Sequence, residues 1–354
     1  MTFSKICIYG AGAIGGWIGA RLAQQPGVEL SVVARGATLA ALQQHGLRLH
    51  MTTPNATGAA SAVDVAGNAS ASQAASLCVP VKTSAQPADL GVQDLVVIAV
   101  KAPALAEVAQ HIAPLLGPHT VVLTAMNGVP WWFLQGFGGT HANTPLASVD
   151  PQSQIAQAIS AQHVIGCVVH ASCSLRGPGE VQHHFGNGLI IGEPSGALSA
   201  RAQALHALLQ SAGFDATLSP QIQKDTWYKL WGNMTVNPVS ALTGATTDKI
   251  LNDPLVRNFI SQVMLEAKAI GAAIGIPIDQ QPEDRHAVTR KLGAFKTSML
   301  QDVQAHRAVE LDALVGAVRE LGQITGVDTP FTDALLGLAR LHAQGLGLYP
   351  ASQG

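Results

Sequence analysis

Lysine and asparagine side chains recur at every fourth position in a segment that is otherwise rich in Trp, Leu, Met and Val. They are Lys229, Asn233 and Asn237. Steps of four place side chains on one face of an α-helix. Asn is a poor helix former, and solvated helix faces favour Glu, Lys or Gln. The spacing therefore predicts a lining for a polar small molecule, with a solvated polar stripe as the alternative.

A glycine-rich segment near the start of the chain has the spacing of a dinucleotide-binding loop. It reads Gly10-Ala11-Gly12-Ala13-Ile14-Gly15. It follows a strand pattern at residues 5–9 and opens a helical pattern, which is the context that G-x-G-x-x-G requires. Gly10 allows the tight turn, Gly12 lets the backbone approach a pyrophosphate, and Gly15 allows close packing of helix on strand. All six residues are predicted to bind the cofactor; the alternative is a glycine-rich turn without a ligand.

The residue after the second predicted strand indicates which dinucleotide binds. An acidic side chain usually holds the ribose 2′-hydroxyl of NAD there, but this sequence has Arg35. A guanidinium pairs with a 2′-phosphate, which an acidic side chain would repel. The predicted cofactor is therefore NADP(H); an ordinary solvated arginine is the alternative.

Two polar residues follow later strands of the same predicted sheet. Lys101 comes after residues 95–100, and Asn127 comes shortly after residues 121–124. Ligands of open α/β sheets lie at the carboxyl ends of strands. Lys101 is expected to face phosphate or substrate charge, and Asn127 a nicotinamide ribose or a substrate oxygen. A purely structural turn is the alternative for either residue, and Asn-Gly in particular is a common turn pair.

A second dense polar stretch runs over residues 296–312. Ser298 and Asp302 lie one turn apart, but a continuous helix would leave Glu310 about a third of a turn from Ser298. A break in the helix would bring them together, whereas periodicity alone favours a polar amphipathic helix. The thirteen histidines show no metal-binding spacing, so no metal site is predicted.

The elements that must position these residues change class along the chain. The first half alternates β-branched runs with Ala/Leu-rich stretches, which is typical of a parallel sheet with helices on both faces. Residues 52–75 form an Ala/Ser/Thr-rich excursion, and after residue 194 the pattern is helical. The predicted fold is an α/β N-terminal Rossmann-type domain, residues 1–219, followed by an all-α C-terminal domain, residues 220–354.

The net charge, the apolar content and the cysteines of the sequence indicate which classes of partner and location are expected. The 354 residues carry a formal charge of −2, which offers no electrostatic footprint for nucleic acid or an anionic membrane. No apolar run approaches the length of a membrane span. Four cysteines without a C-x-x-C pair favour a reducing compartment, so a cytoplasmic location is expected. The sequence leaves the oligomeric state open, and a homodimer is compatible with it.

In combination, these motifs resemble the ketopantoate reductase family, and they follow the family's order over nearly the whole chain. The shared pieces are the glycine loop, Arg35, A-V-K at 99–101, M-N-G at 126–128, G-P-G at 177–179, K-L-x-x-N-x-x-x-N-P at 229–238, and S-M-L-Q-D with E-x-D within 298–312.

The resemblance implies a role for each matched residue. Lys229 would be the general acid and Glu310 its polar partner in the active site, also contacting the cofactor. Asn127, Asn233, Asn237 and Ser298 would hold the substrate, and Lys101 with Asn127 would serve the cofactor and reacting centre. We assign the substrate carboxylate chiefly to Ser298, with help from Asn233 and Asn237.

The expected activity is NADPH-dependent reduction of 2-dehydropantoate to pantoate in pantothenate biosynthesis. Some family features are missing: Val309 replaces a threonine, Thr247-Asp248 an Asn-Gly pair, and Phe295 an asparagine found in some members. Reduction of another 2-oxo acid is therefore one alternative. The other is a non-catalytic NADP(H)-binding sensor, which would need the glycines and Arg35 but no proton donor.

Overall fold

A computed structural model describes residues 1–51 and 75–350. The excursion predicted at 52–75 lies outside the described residues, apart from Ala75, which begins a strand. The strands are β1 (Lys5–Tyr9), β2 (Glu29–Val33), β3 (Leu47–Met51), β4 (Ala75–Val79), β5 (Lys82–Ser84), β6 (Leu95–Ile98), β7 (Val121–Thr124), β8 (Val164–Gly177), β9 (Glu180–Gly192) and β10 (Asp215–Leu218).

Helices flank the sheet in the first part of the chain and make up most of the second part. They are α1 (Ala13–Leu22), α2 (Gly36–His45), α3 (Leu105–His111), α4 (Gln154–Ala158), α5 (Ala200–Ser211), α6 (Ile222–Thr243), α7 (Thr247–Asn252), α8 (Pro254–Ala273), α9 (Pro282–Arg290), α10 (Ser298–Gln304), α11 (Ala317–Thr325) and α12 (Pro330–Gly345). A π-helical turn, Asp312–Gly316, leads into α11.

The described strands form one mixed sheet in the order β4-β3-β9-β8-β7-β6-β1-β2-β5, with β10 alongside β9. The run β5-β2-β1-β6-β7-β8 is parallel throughout and has the doubly wound order 3-2-1-4-5-6. Its strand order reverses between β1 and β6, and ligands of such sheets bind at that point. The α/β and all-α fold class predicted from the sequence is confirmed.

Three buried cores hold these layers together. Trp17 lies in the core on one face of the sheet, and Trp132 in the core on the other. Trp227 and Trp231 of α6 belong to a third core, formed mainly by the helices that follow β10. Because α6 is buried against that core along its apolar side, its polar face is free to meet the sheet.

The sequence prediction is wrong at several short strands. β10 lies in the region predicted to be helical, and β3, β4 and β5 were not predicted. The glycines at positions 186 and 188 do not interrupt β9, which runs unbroken over residues 180–192. β5 is the polar triplet Lys-Thr-Ser, and β10 has only four residues, so neither carries a long apolar pattern. Pairing with an existing strand, rather than local propensity, makes these segments extended.

No helix within residues 1–51 and 75–350 combines the length and the apolar character needed to cross a membrane. The boundary proposed between residues 219 and 220 falls between β10 and α6.

Candidate active site

The glycine loop joins β1 to α1 at the point where the strand order reverses. Gly10 has a φ of +100°, and a Cβ there would lie 2.6 Å from Cγ1 of Val100. A Cβ on Gly15 would lie 2.1 Å from the carbonyl oxygen of Gly10. By contrast, no described atom lies within 4 Å of a Cβ built on Gly12, and no side chain caps the start of α1. The open backbone at a helix N-terminus fits a pyrophosphate.

Arg35 follows β2 and precedes α2, at the rim of the same edge of the sheet. Its guanidinium is mostly exposed and pairs with the carboxylate of Glu107 on α3. The pairing holds the pKa of Glu107 below its ordinary value. Exposed ion pairs contribute little to stability, so a phosphate dianion could take the place of Glu107. The placement is compatible with the predicted contact to a 2′-phosphate.

Lys101 contacts the helical part of the chain. Its Nζ lies 2.6 Å from Oδ2 of Asp302 and 3.2 Å from Oε2 of Glu310. The other oxygen of Glu310 accepts a hydrogen bond of 3.0 Å from the backbone N–H of Ala102. Arg307 approaches the second oxygen of Asp302 at 3.1 Å. Glu310 is therefore the partner of Lys101, and the structure shows no hydrogen bond between Glu310 and Lys229.

The two carboxylates decide the charge of Lys101. Burial lowers the pKa of Lys101, but the charges of Glu310 and Asp302 outweigh burial and raise it above its ordinary value. Lys101 is thus a fixed cation at any physiological pH.

Lys229 extends from α6 to the loop that follows β7 and to the middle of β8. Its Nζ donates hydrogen bonds of 2.7 Å to Oδ1 of Asn127 and of 2.7 Å to the backbone carbonyl of Val169 on β8. Both acceptors are neutral. Asn127 is in turn fixed by its neighbours, since the backbone N–H of Val129 donates to the carbonyl of Ala313 in the π-helical turn at 2.8 Å.

The surroundings of Lys229 disfavour its charged form. Burial and the positive charge of Arg285 lower its pKa from 10.5 to about 8, although Cys167 and Glu310 act in the opposite direction. The sequence left open whether burial or Glu310 would dominate, and in the structure burial does. A lysine with a pKa near neutral pH can give up a proton during a reaction.

Cys167 lies beside Lys229 on β8. Burial raises the pKa of its thiol to about 12, so the thiol is protonated near neutral pH. All four cysteines of the chain are free.

The polar face predicted for α6 exists. Asn233 is half-buried and Asn237 is buried on the same side of the helix as Lys229. Nδ2 of Asn237 lies 3.5 Å from the hydroxyl oxygen of Ser298, the first residue of α10. α10 ends at Gln304, so the continuous helix favoured by periodicity is wrong, and the break that the sequence left open lies between Ser298 and Glu310. This arrangement gathers Asn237 and Ser298 at one end of the site.

The positions that depart from the family pattern are engaged elsewhere. The hydroxyl of Thr247 donates to the carbonyl of Gly293 at 2.7 Å. Asp248 is half-buried and accepts a hydrogen bond from the hydroxyl of Thr246. The ring of Phe295 lies 6.3 Å from that of Phe185, which is on β9 opposite Ser172 of β8. None of these three side chains supplies an amide, so the amides found at these positions in the family are absent here.

A cavity of about 740 Å³ lies between the two parts of the chain. It is lined by loops after β6 and β7 and by residues 308–313 and 347–350, and Asn127 and Cys167 also line the narrow recess around Lys229. Its size is within the usual range for small-molecule sites. No cluster of His, Cys, Asp or Glu in the described part of the chain is arranged to hold a metal ion.

Sequence reasoning missed four contributors to this site, and three of them carry no sequence signal. The carbonyl of Val169 is a backbone group that no side-chain motif reports. Cys167 gave no spacing signal, and Arg285 lies in a segment outside every motif. Only Asp302 carried a signal, because it shares a helix face with Ser298.

A dinucleotide-binding α/β domain that presents a half-buried lysine of lowered pKa at its junction with a helical domain defines a two-domain, nicotinamide-nucleotide-dependent oxidoreductase. Two protein-family models match the chain and identify the family. The model for ketopantoate reductase PanE/ApbA matches residues 6–196, and the model for the C-terminal part of the same family matches residues 221–343. The chain belongs to the ketopantoate reductase family.

Relatives of known name match the chain from end to end. A 2-dehydropantoate 2-reductase from Mesorhizobium japonicum is 42% identical over 345 residues, which cover 98% of this chain and 99% of the relative. Another from Archaeoglobus fulgidus is 26% identical and is covered completely. A protein of known structure from Ralstonia solanacearum MolK2 is 53% identical, with a TM-score of 0.89 over 98% of this chain and 100% of that one.

The same fold also serves other substrates. A D-mandelate dehydrogenase, solved with NADH and anilino(oxo)acetate, superposes with a TM-score of 0.77 at 20% identity, covering 97% of this chain and 99% of that one. The fold therefore fixes neither the coenzyme nor the oxo acid, and those depend on individual residues.

Proposed function

We propose that the chain catalyses NADPH-dependent reduction of 2-dehydropantoate to pantoate. The observation that carries the proposal is Lys229, a lysine of lowered pKa held by two neutral acceptors at the junction of the two domains. End-to-end similarity to 2-dehydropantoate 2-reductases supports the choice of substrate. The substrate is accordingly a small molecule with a carbonyl and a carboxylate.

Lys229 supplies the proton in this scheme. Its ammonium group donates a hydrogen bond to the C2 carbonyl oxygen and then a proton to the alkoxide that forms there. Asn127 and the Val169 carbonyl orient Nζ, because both accept hydrogen bonds from it at 2.7 Å. Asn233, Asn237 and Ser298 surround the remainder of the substrate.

The cofactor would be held by groups of the N-terminal domain. We assign the pyrophosphate to the loop from Gly10 to Gly15, the 2′-phosphate to Arg35, and the nicotinamide ribose to Asn127 with Lys101 and Glu310. When bound, NADPH supplies the hydride that reduces C2.

Optical measurement of NADPH oxidation with 2-dehydropantoate and a panel of 2-oxo acids tests the proposal. We expect 2-dehydropantoate to have the highest kcat/KM of the panel. Lys229→Ala should lower kcat by about 10²–10⁴-fold with the Kd for NADPH unchanged, because general acid catalysis contributes that much. Lys224→Ala, at an exposed position of the same helix, is the matched control. Near-normal turnover by Lys229→Ala would mean that water or Lys101 supplies the proton.

Reduction of a different 2-oxo acid is the second candidate. Phe295 favours it, because an apolar side chain in contact with Phe185 stands three residues before Ser298, where some family members have an asparagine. A higher kcat/KM for a bulkier, apolar 2-oxo acid than for 2-dehydropantoate would establish this alternative. A non-catalytic NADP(H) sensor is disfavoured, because such a protein has no need of the proton donor; absence of turnover with every oxo acid would support it.

We further propose a homodimer, a cytoplasmic location, and two domains that meet between residues 219 and 220. Phe331, Leu338 and Leu341 expose apolar surface along one side of α12, which suits an interface between copies. A structural neighbour from Staphylococcus aureus is described as a dimeric ketopantoate reductase. Light scattering of the purified chain, compared with Leu341→Lys, tests the dimer.

A further inference from the structure

Arg285 extends from α9 onto the surface of α6, beside the candidate active site. Its guanidinium carbon lies 5.4 Å from the ring centre of Tyr228. A Cβ built on Gly232 would lie 2.6 Å from Nε and 2.8 Å from Nη2 of Arg285. The guanidinium therefore rests against the helix at a place that only glycine leaves open.

Arg285 has no anionic partner in residues 1–51 and 75–350. Its Nε is buried and has no hydrogen-bond acceptor, and its charge faces no carboxylate within ion-pair distance. Arg201 and Arg307, in contrast, each pair with a carboxylate. The ring of Tyr228 attracts the cation, but a π-face does not satisfy the planar fork of N–H donors. A half-buried guanidinium without acceptors is costly unless a ligand supplies them.

The position of Arg285 relative to Lys229 indicates which ligand group that would be. Gly232 follows Lys229 by three residues on α6, a rise of about 4.5 Å along the axis and a rotation of about a sixth of a turn. The charge of Arg285 contributes to lowering the pKa of both Lys229 and His170, in each case after burial. The carboxyl carbon of a 2-oxo acid is bonded directly to the carbonyl carbon, so its anchor must lie close to the proton donor.

We infer that Arg285 binds the carboxylate of the 2-oxo acid, with guanidinium N–H groups donating to the carboxylate oxygens. The inference rests on the proposed function and departs from the sequence-based assignment of that carboxylate to Ser298. Ser298 and Asn237 then face the far end of the substrate. The planar, forked donor set of arginine matches a carboxylate better than one hydroxyl does. Arg285 thereby selects acids over neutral ketones.

The test compares 2-dehydropantoate with its neutral lactone, in the wild type and in Arg285→Gln. We expect kcat/KM for the acid to fall about 10- to 150-fold, the usual effect of losing a hydrogen bond to a charged group, while the lactone changes little. Arg290→Gln, an exposed position on the same helix, is the matched control. Equal losses for acid and lactone would mean that Arg285 acts only through Lys229, which overturns the inference.

Gly232→Ala provides a second variant that does not touch the arginine itself. Alanine favours a helix, so the melting temperature should not fall for reasons of helix propensity. Its Cβ must nevertheless displace the guanidinium, and we expect the same selective loss of acid over lactone. Retention of acid selectivity in both variants, with its loss in Ser298→Ala, would return the carboxylate to Ser298.

Calorimetric titration of pantoate into the NADP⁺-saturated protein separates this inference from the proposed function. If the wild type turns over no 2-oxo acid but binds pantoate, and Arg285→Gln does not, the inference stands and the proposed function fails. If the wild type reduces 2-dehydropantoate and Arg285→Gln binds pantoate equally well, the function stands and the inference fails. A wild type that neither binds nor reduces either compound overturns both.

Discussion

The lowered pKa of Lys229 makes stability and activity depend on pH in a defined way. The folded chain holds this lysine at a pKa of about 8, against an ordinary value of 10.5. Between these two values the unfolded chain binds more protons than the folded one, so the stability of the folded chain rises with pH in that window. Below about pH 8 both states are protonated and the full cost of burying the charge is present.

The size of the effect follows from the two pKa values. Each pKa unit corresponds to about 1.4 kcal/mol, so Lys229 should cost the folded chain about 3 kcal/mol at neutral pH. This cost should vanish above about pH 10. Urea unfolding of the wild type and Lys229→Met should therefore show a difference in free energy of unfolding that shifts by about 3 kcal/mol in favour of the wild type over this range. The change of this free-energy difference with pH is independent of contributions that do not vary with pH, such as the cost of the acceptors left unpaired in Lys229→Met.

Activity should follow the protonated form of the same lysine. The kcat/KM for the oxo acid should be level below about pH 7 and fall about tenfold per pH unit above about pH 8. Glu310→Gln removes a negative charge that raises the pKa of Lys229. In this variant the fall of kcat/KM with rising pH should therefore begin at a lower pH than in the wild type. The matched control is Lys224→Met on the exposed side of α6. A difference in free energy of unfolding between the wild type and Lys229→Met that does not vary with pH would refute the reasoning. So would a wild-type kcat/KM that begins to fall only near pH 10.

Other predictions follow from the same contacts. Arg35→Asp should lower kcat/KM with NADPH far more than with NADH, while Arg176→Asp, at an exposed site, should affect neither; equal wild-type values for the two cofactors would contradict the NADP assignment. Ser298→Ala should raise the KM for the oxo acid by about 2- to 12-fold, the usual effect of losing a hydrogen bond between neutral groups, and leave the fluorescence-titrated Kd for NADPH unchanged. Asp302→Asn should destabilise the chain by about 1–3 kcal/mol in denaturant unfolding, since Lys101 is partly exposed and retains Glu310. Gly15→Ala should abolish NADPH binding, because its Cβ would meet the carbonyl of Gly10.

The parts of the fold that could be predicted are those with strong local patterns. The strands β1, β2, β6 and β7 are continuous apolar runs, and the glycine loop identifies the first βαβ unit from composition alone. β5 and β10 escaped prediction because their extended form comes from pairing with β2 and β9, which lie far away in sequence. Residues 180–192 form one strand because they pair with the neighbouring strand β8 in an antiparallel hairpin.

The sequence predicts which residues belong to the site better than it predicts which residues they contact there. Periodicity on one helix is a local property, so Lys229, Asn233 and Asn237 were predicted to share a face, and they do. Pairing between Lys101 and the carboxylates of Asp302 and Glu310 spans about two hundred residues, and no pattern within the sequence encodes it. Arg285 was missed for the same reason, since its place beside Lys229 depends on how α9 packs.

The environments of the two lysines separate their roles. Both Lys101 and Lys229 follow from the sequence as candidate groups near the reacting centre, and neither motif says which one gives up a proton. Lys101 is held between two carboxylates that raise its pKa and fix its charge, whereas Lys229 faces only neutral acceptors and burial lowers its pKa. Groups whose surroundings drive their pKa values apart can take different parts in acid–base chemistry. By engaging Glu310, Lys101 keeps that carboxylate from forming an ion pair with Lys229, so the cation at the cofactor edge helps to keep the lysine on α6 able to donate its proton.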